Sequence, residues 1–199
     1  MSSLRWSTAK RHAYSWVQQA DQLYVATRFL YWKGFWMEFA LFGAHVMELY
    51  LKAYLIYKTG KYPLTHEIDR IYEACIEYDD FFKDESLSKH FLSTEKTWAS
   101  YSHALRYPES LPHQPKPGGI GLIFGVGGTH QTLDCIAHFV RGTVPRPAGH
   151  VDVIDELINS DGRRWMMYSP ENLPEIRELF LRDNPYFSSS LPFDNQSTK

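Results

Sequence analysis

Hydrophobic residues recur at intervals of three and four along most of this chain, which is the period of an amphipathic α-helix. No stretch shows the strict alternation that is typical of a β-strand. Glycine and proline interrupt the helical period and so divide the first part of the chain into five predicted helices. They cover residues 7–32, 35–58, 65–78, 86–107 and 129–141. The pattern therefore predicts an all-α protein in which residues 7–142 form a bundle of about five helices.

Residues that favour helix ends support these boundaries. Ser7 and Thr65 are suited to cap the first and third helices, because their hydroxyl groups accept hydrogen bonds from free backbone N–H groups. Gly60 is suited to end the second helix in a left-handed conformation. Pro108 ends the fourth helix, since the residue before a proline leaves the helical region.

Two shorter helical patterns follow a linker rich in glycine and proline, over residues 151–159 and 171–182. They predict a short helical C-terminal appendage over residues 143–187. The polar residues 188–199 are predicted to form a flexible tail.

The second helix is apolar all round, as a helix buried inside a bundle is, yet it carries one polar stripe. His45, Glu48 and Lys52 stand at i, i+3 and i+7 and therefore share one face. Charges on a buried helix need partners or water. One interpretation is a structural network in which Arg106, in the last turn of the fourth helix, pairs with Glu48. The other is a wet groove or dimer cleft that holds a phosphate or a nucleotide.

The fifth helix has a second polar stripe, His130, Asp134, His138 and Arg141, on the side away from its apolar face. Two histidines and a carboxylate in one row can bind a metal or orient a proton donor. The alternative is an ordinary solvated helix face. Because no further ligand is in view, the sequence predicts neither a metal site nor a cofactor.

Composition and charge narrow the classes of protein. Apolar residues make up 44% and aromatic residues 16%, which is enough for a sizeable core. A net charge of −2 argues against a basic nucleic-acid clamp, although not against a local site. Residues 1–61 hold eight basic and three acidic side chains, whereas residues 62–100 hold four and nine. Consecutive segments of opposite sign predict helices that attract each other; a basic patch on the first two helices is the alternative.

Cys75 and Cys135 lie alone in helical contexts and are expected to be small core residues. Phe35 and Trp36 are assigned, with the other aromatic residues of the first two helices, to the core or to a dimer interface. The chain shows no signal peptide and no run of about 18 apolar residues, so we expect no membrane span and a cytoplasmic protein.

Four short motifs stand in a definite order along the predicted helices. They are Ala20-Asp21, Ala44-His45-xx-Glu48-xxx-Lys52-Ala53, Gly60-xx-Pro63-x-Thr65-His66-Glu67 and Leu105-Arg106-Tyr107-Pro108. This ordered set resembles the HEPN family, the nucleotide-binding domain of higher eukaryotes and prokaryotes, over roughly residues 10–142. The resemblance implies an up-and-down helical bundle that commonly dimerises.

The same resemblance implies a catalytic motif for the ribonuclease members of the family, which use an Arg and a His separated by four to six residues. Arg106 and His113 have six residues between them. The segment departs from the family pattern, because Tyr107 replaces a polar residue and two prolines, Pro108 and Pro112, interrupt the helix. The candidate residues for nucleotide or phosphate binding are His45, Glu48, Lys52, Arg106, His130, Asp134, His138 and Arg141.

The functional prediction is a nucleotide- or RNA-associated module, non-catalytic or weakly catalytic. It is expected to act as a homodimer or through a partner such as a nucleotidyltransferase. One alternative is a metal-independent endoribonuclease of a toxin or defence system. Another is an assembly or scaffold protein without a ligand site.

Overall fold

The computed structural model describes residues 8–92, 129–159 and 171–187, and every regular element within these ranges is helical. The predicted all-α bundle is therefore confirmed. The elements are α1 (Thr8–Trp32), α2 (Trp36–Thr59), α3 (Ile68–Ile76), a 3-10 turn (Asp80–Lys83), α4 (Glu85–Leu92), α5 (Thr129–Thr143), α6 (Val153–Asn159) and α7 (Leu173–Leu181).

Helices α1 and α2 form a long hairpin. Gly34 makes the reversal with φ at +80°, a backbone conformation that glycine adopts without steric cost. Backbone hydrogen bonds of 3.0–3.1 Å from Lys33, Gly34 and Phe35 close the end of α1. Because the connection is so short, the two helices lie side by side along their length. The predicted bounds of both helices agree with the structure to within one residue.

Helix α2 is the centre of the bundle, and this position explains its uniformly apolar sequence. Its buried residues run from Phe39 to Ile56 and face α1, α3 and α5. The helix ends at Gly60 as predicted, with φ at +75° and its backbone N–H donating to Ile56 O over 2.8 Å. Helix α2 is long and apolar enough to cross a membrane, but 83% of its apolar 18-residue stretch is buried inside the protein. Packing within the bundle accounts for that apolar character.

The third helix is shorter than predicted. Thr65 does not cap it, because the Thr65 hydroxyl accepts from the backbone N–H of Glu67 over 3.0 Å and forms a turn ahead of Ile68. A 3-10 turn that the sequence analysis did not predict follows, and the carboxylate of Asp79 caps it by accepting from Phe81 N over 3.1 Å. Tyr72 then stacks on Phe91 of α4, with ring centres 4.1 Å apart.

Helix α4 begins within one residue of the prediction, but the structure describes it only as far as Leu92. The predicted continuation to residue 107, the stop at Pro108 and the cap at Ser7 lie outside the described residues.

The C-terminal helices share the core of the bundle. Helices α6 and α7 contact α1, and α5 contacts both α1 and α2. The ring of Phe180 in α7 meets the ring of Tyr24 in α1 edge-on, with centres 5.4 Å apart. Cys75 is buried as expected, Cys135 is partly exposed, and neither forms a disulfide.

Candidate functional site

The polar stripe of α2 contains a buried ion pair. Glu48 and Lys52 are each only 3% exposed, and Lys52 Nζ lies 2.8 Å from Glu48 Oε1. Their i, i+4 spacing brings them together on one helix face. His45, one turn earlier and half-exposed, places its Nδ1 3.9 Å from Glu48 Oε2. The predicted contact among these three side chains is confirmed, while Arg106, their proposed fourth member, lies outside the described residues.

His66 is a member of this cluster that the sequence analysis missed. Its Nδ1 lies 2.7 Å from Glu48 Oε1, although 72% of the His66 side chain is exposed. The segment after Gly60 returns along α2 and delivers the imidazole to the carboxylate. The signal was present in the Thr65-His66-Glu67 motif, whose histidine follows the predicted cap Thr65.

Two aromatic rings enclose Lys52. Its Nζ lies 5.8 Å from the ring centre of Trp16 and 5.5 Å from that of Tyr62. The two rings are themselves 4.9 Å apart. A cation over aromatic faces is attracted to the ring quadrupole, most strongly where water is excluded. The ammonium group is therefore held by one carboxylate and two rings.

These contacts keep Glu48 ionised. Burial alone would raise the pKa of Glu48, but its two histidines and its lysine outweigh burial and hold that pKa well below its usual range. A carboxyl group with such a low pKa is a poor proton donor near neutral pH. What it can do is fix the orientation of an imidazole, as the carboxylate of a catalytic triad does.

Three of the four side chains in the polar stripe of α5 are largely buried, so the alternative of a solvated face is wrong for them; His138 is exposed. Asp134 is completely buried and forms an ion pair with Arg28 of α1. Tyr24 donates a hydrogen bond to Asp134 over 2.5 Å, and Asn184 in turn donates to the Tyr24 hydroxyl over 2.9 Å. The reason is that α1 and the segment that follows α7 cover this side of α5.

Arg28 fastens three helices together. Besides Asp134, it donates to the backbone carbonyl groups of Phe180 over 2.8 Å and of Arg182. A guanidinium group has five N–H donors in a fixed fork, so one side chain can satisfy a carboxylate and two helix-end carbonyls together. We call Arg28, Asp134, Tyr24 and Asn184 the Arg28 cluster.

Arg141, at the other end of the stripe, is buried between two carboxylates. It pairs with Asp21 of α1, and its Nη2 lies 2.9–3.0 Å from both carboxylate oxygens of Asp152. Burial opposes the charge of Arg141, but the two carboxylates raise its pKa above the usual range. Tyr50 of α2 donates to Asp21 over 2.6 Å. The sequence analysis did not identify Asp152 or Tyr50 as partners.

The two histidines of the stripe lie in different surroundings and do not converge on one site. His130 is buried and stacks on Tyr31 at 4.3 Å, and burial together with Arg28 lowers its pKa. His138 is exposed and stacks on Tyr186 at 4.7 Å. Within the described ranges, no three His, Cys, Asp or Glu side chains are placed to hold a metal ion. His130, Asp134 and His138 therefore do not form a metal site, and their assignment to nucleotide or phosphate binding stays a prediction.

Arg106 and His113, the predicted catalytic residues, both lie between residues 93 and 128, outside the part of the chain that the structure describes. Their assignment stays a prediction.

Comparison with protein families gives one match. The family model described as HEPN domain matches residues 13–117, which is more than half of the chain. No curated protein and no solved structure matches the chain. The matched range includes the whole Glu48 cluster, which consists of His45, Glu48, Lys52 and His66.

Proposed function

We propose, from the premise that this chain belongs to the HEPN domain family, that it is a non-catalytic or weakly catalytic module acting as a dimer or through a partner such as a nucleotidyltransferase. The family consists of nucleotide- and RNA-associated helical domains. A cytoplasmic location belongs to the same proposal, whereas a role in a toxin or defence system belongs to the ribonuclease alternative.

The single observation that carries the non-catalytic part of this proposal is the internal pairing of the Glu48 cluster. Lys52 and Glu48 are directed at each other inside the bundle rather than at solvent. A lysine enclosed by Trp16 and Tyr62 is not placed to clamp a phosphate. These charges support the bundle. The interrupted spacing between Arg106 and His113 points the same way.

The first test combines binding and cleavage. We expect purified protein to leave mixed RNA intact in the presence of a chelator, and we expect at least one nucleotide to raise its thermal midpoint at millimolar concentration. The Arg106→Ala variant is the control for cleavage. If the wild type cleaves RNA and Arg106→Ala does not, the non-catalytic proposal is wrong; if no nucleotide changes the midpoint, nucleotide association is contradicted.

A ribonuclease is the second candidate, and one contact favours it. His66 is exposed while its Nδ1 meets an ionised carboxylate, an arrangement in which an imidazole can act as a general base. In that case the base would be His66 rather than His113. Cleavage by wild type that His66→Gln removes and His113→Gln does not would support this candidate.

A dimer interface is proposed at the beginning of α2. Four large apolar side chains are exposed there, Phe35, Trp36, Met37 and Phe42. Isolated exposed apolar residues are common, but a group of four on adjacent turns is typical of an interface. The sequence assigns Phe35 and Trp36 to the core or to a dimer interface. Because neither is in the core, the interface is the assignment that remains for them.

We expect the double variant Trp36→Glu/Phe42→Glu to sediment as a monomer at concentrations at which the wild type is a dimer, because a buried charge is costly at an apolar interface. Leu64→Glu is the matched control, since Leu64 is 89% exposed and lies away from the patch. A wild type that sediments as a monomer at all concentrations contradicts the dimer. In that case a partner protein, or a scaffold role without any ligand, is the remaining proposal.

A further inference from the structure

A cavity of about 670 Å³ lies between the 3-10 turn, α4 and α5. This volume falls in the range of small-molecule and cofactor sites, roughly 300–1,000 Å³. The cavity belongs neither to the Glu48 cluster nor to the Arg28 cluster. Its walls include Phe81, Ser86, Lys89, His90, Cys135 and Tyr186.

Two aromatic side chains form rigid walls of this cavity. Phe81 stacks flat on Phe139 of α5, with ring centres 3.7 Å apart, and Tyr186 stacks on His138. Each ring is thus fixed by its contact with α5 and lines the cavity as a preformed surface. Aromatic walls of this kind stack nucleobases without regard to sequence, because every base has a π-face.

The polar side chains of the cavity are of two kinds. Lys89 and His90 come from α4 and offer donors suited to a phosphate group, whereas the Ser86 hydroxyl already donates to Asp84. Gln131 offers an amide that can hydrogen-bond a base edge. The acidic groups at the rim have partners already: Asp80 pairs with Lys83 at 2.7 Å, and Asp84 accepts from Leu87 N over 3.2 Å.

We propose that this cavity binds one nucleoside phosphate unit, with the base against Phe81 and Tyr186 and the phosphate at Lys89. The proposal rests on the proposed nucleotide association and gives it a site. A single unit fits better than a stretch of RNA backbone, because a backbone needs a row of cations and the cavity mixes Lys89 and His90 with Asp80 and Asp84. The unit can be a free nucleotide or the end of an RNA strand.

Cys135 provides a direct test. It lines the cavity and is partly exposed, whereas Cys75, the chain's other cysteine, is fully buried and has its thiol pKa raised by burial. Alkylation by iodoacetamide, followed by intact mass spectrometry, therefore reports on Cys135 alone. We expect each nucleoside monophosphate that binds to slow this reaction about tenfold at ten times its Kd, as mass action requires.

Variants and ligands separate the possible outcomes. Lys89→Gln should abolish protection by nucleoside monophosphates, where protection is the ratio of each variant's alkylation rate without ligand to its rate with ligand. Lys61→Gln is the control, since Lys61 is an exposed lysine that does not line the cavity. Protection by free nucleotides identifies that source, and protection only by RNA oligonucleotides with a 5′-phosphate identifies the strand end. Either result supports the site if Lys89→Gln removes the protection.

Two results overturn the proposal. One is alkylation that no nucleoside monophosphate and no oligonucleotide slows, although nucleotides raise the thermal midpoint; the protein then binds nucleotides elsewhere and the proposed function stands. The other is protection that Lys89→Gln and Lys61→Gln retain equally. If no nucleotide affects either the midpoint or alkylation, nucleotide association fails together with the site.

Discussion

Replacement of Arg28 by methionine should lower the free energy of unfolding by about 3–5 kcal/mol, the usual loss when one partner of a buried ion pair is removed. Asp134 would be left without a counter-charge at a completely buried position, with Tyr24 as its remaining donor among the described residues. The carbonyl groups of Phe180 and Arg182 would lose their donor as well. Urea denaturation followed by far-UV circular dichroism measures this loss, with an unchanged m-value as the sign that the denatured state is the same.

The control for Arg28→Met is Arg70→Met. Arg70 pairs with Glu67, but both side chains are more than half exposed. An exposed pair of this kind contributes about 0–1 kcal/mol, so this variant should be close to wild type.

A double-mutant cycle with Asp134→Asn separates the pair from its surroundings. Because each single change leaves the other partner unpaired in the core, the double variant should be less destabilised than the sum of the two single changes. Simple additivity would mean that the two side chains do not stabilise each other, contrary to the fold described here.

Replacement of Glu48 by glutamine should cost about 3 kcal/mol at pH 7, since it leaves the ammonium group of Lys52 buried without a counter-charge. The loss should depend on pH. Because the folded protein holds the pKa of Glu48 below its unfolded value, the carboxylate contributes stability that is fully present above about pH 4.3 and is lost as the pH falls. The difference between wild type and Glu48→Gln should therefore shrink on acidification below about pH 4.

Urea denaturation of both proteins from pH 7 to pH 3 measures this effect. Glu38→Gln is the matched control, since Glu38 lies on the same helix but is exposed at its first turn. A difference between wild type and Glu48→Gln that stays constant from pH 7 to pH 3 would show that the charge of Glu48 is not what stabilises the bundle.

The sequence predicted the two long helices and the shared face of His45, Glu48 and Lys52, because both depend on short-range geometry. Gly34 and Gly60 mark helix ends by their own backbone preferences, and these two positions are confirmed. His45, Glu48 and Lys52 meet because one helix spaces them by three and four residues. No knowledge of the rest of the chain was needed for either result.

The contacts of α5 could not be predicted in the same way. Helical periodicity shows that Asp134 and Arg141 are on a different face from Leu133 and Ile136, but it does not show which later segment covers that face. The partners of Asp134 and Arg141 come from α1, more than a hundred residues earlier, and from Asp152, which follows α5. A polar stripe followed by further helices is compatible with both a wet and a buried surface, and only the tertiary packing distinguishes them.

The start of α3 shows a more local failure. Thr65 has the side chain that a helix cap needs, and its hydroxyl does accept a backbone N–H. That N–H belongs to Glu67, two residues on, so the bond closes a turn before the helix rather than the helix itself. Threonine makes both bonds with similar ease, and the sequence contains nothing that decides between them.

The burial of Arg141 between Asp21 and Asp152 has a consequence for where this chain can be divided. The family match stops at residue 117, ahead of α5 and of everything that follows it. A fragment trimmed to that match would leave Asp21 and Arg28 in the interior without their opposite charges. The segment beyond the recognised domain thus supplies the countercharges of its first helix. Excising that segment would remove these countercharges together with the apolar side chains that pack against the helix.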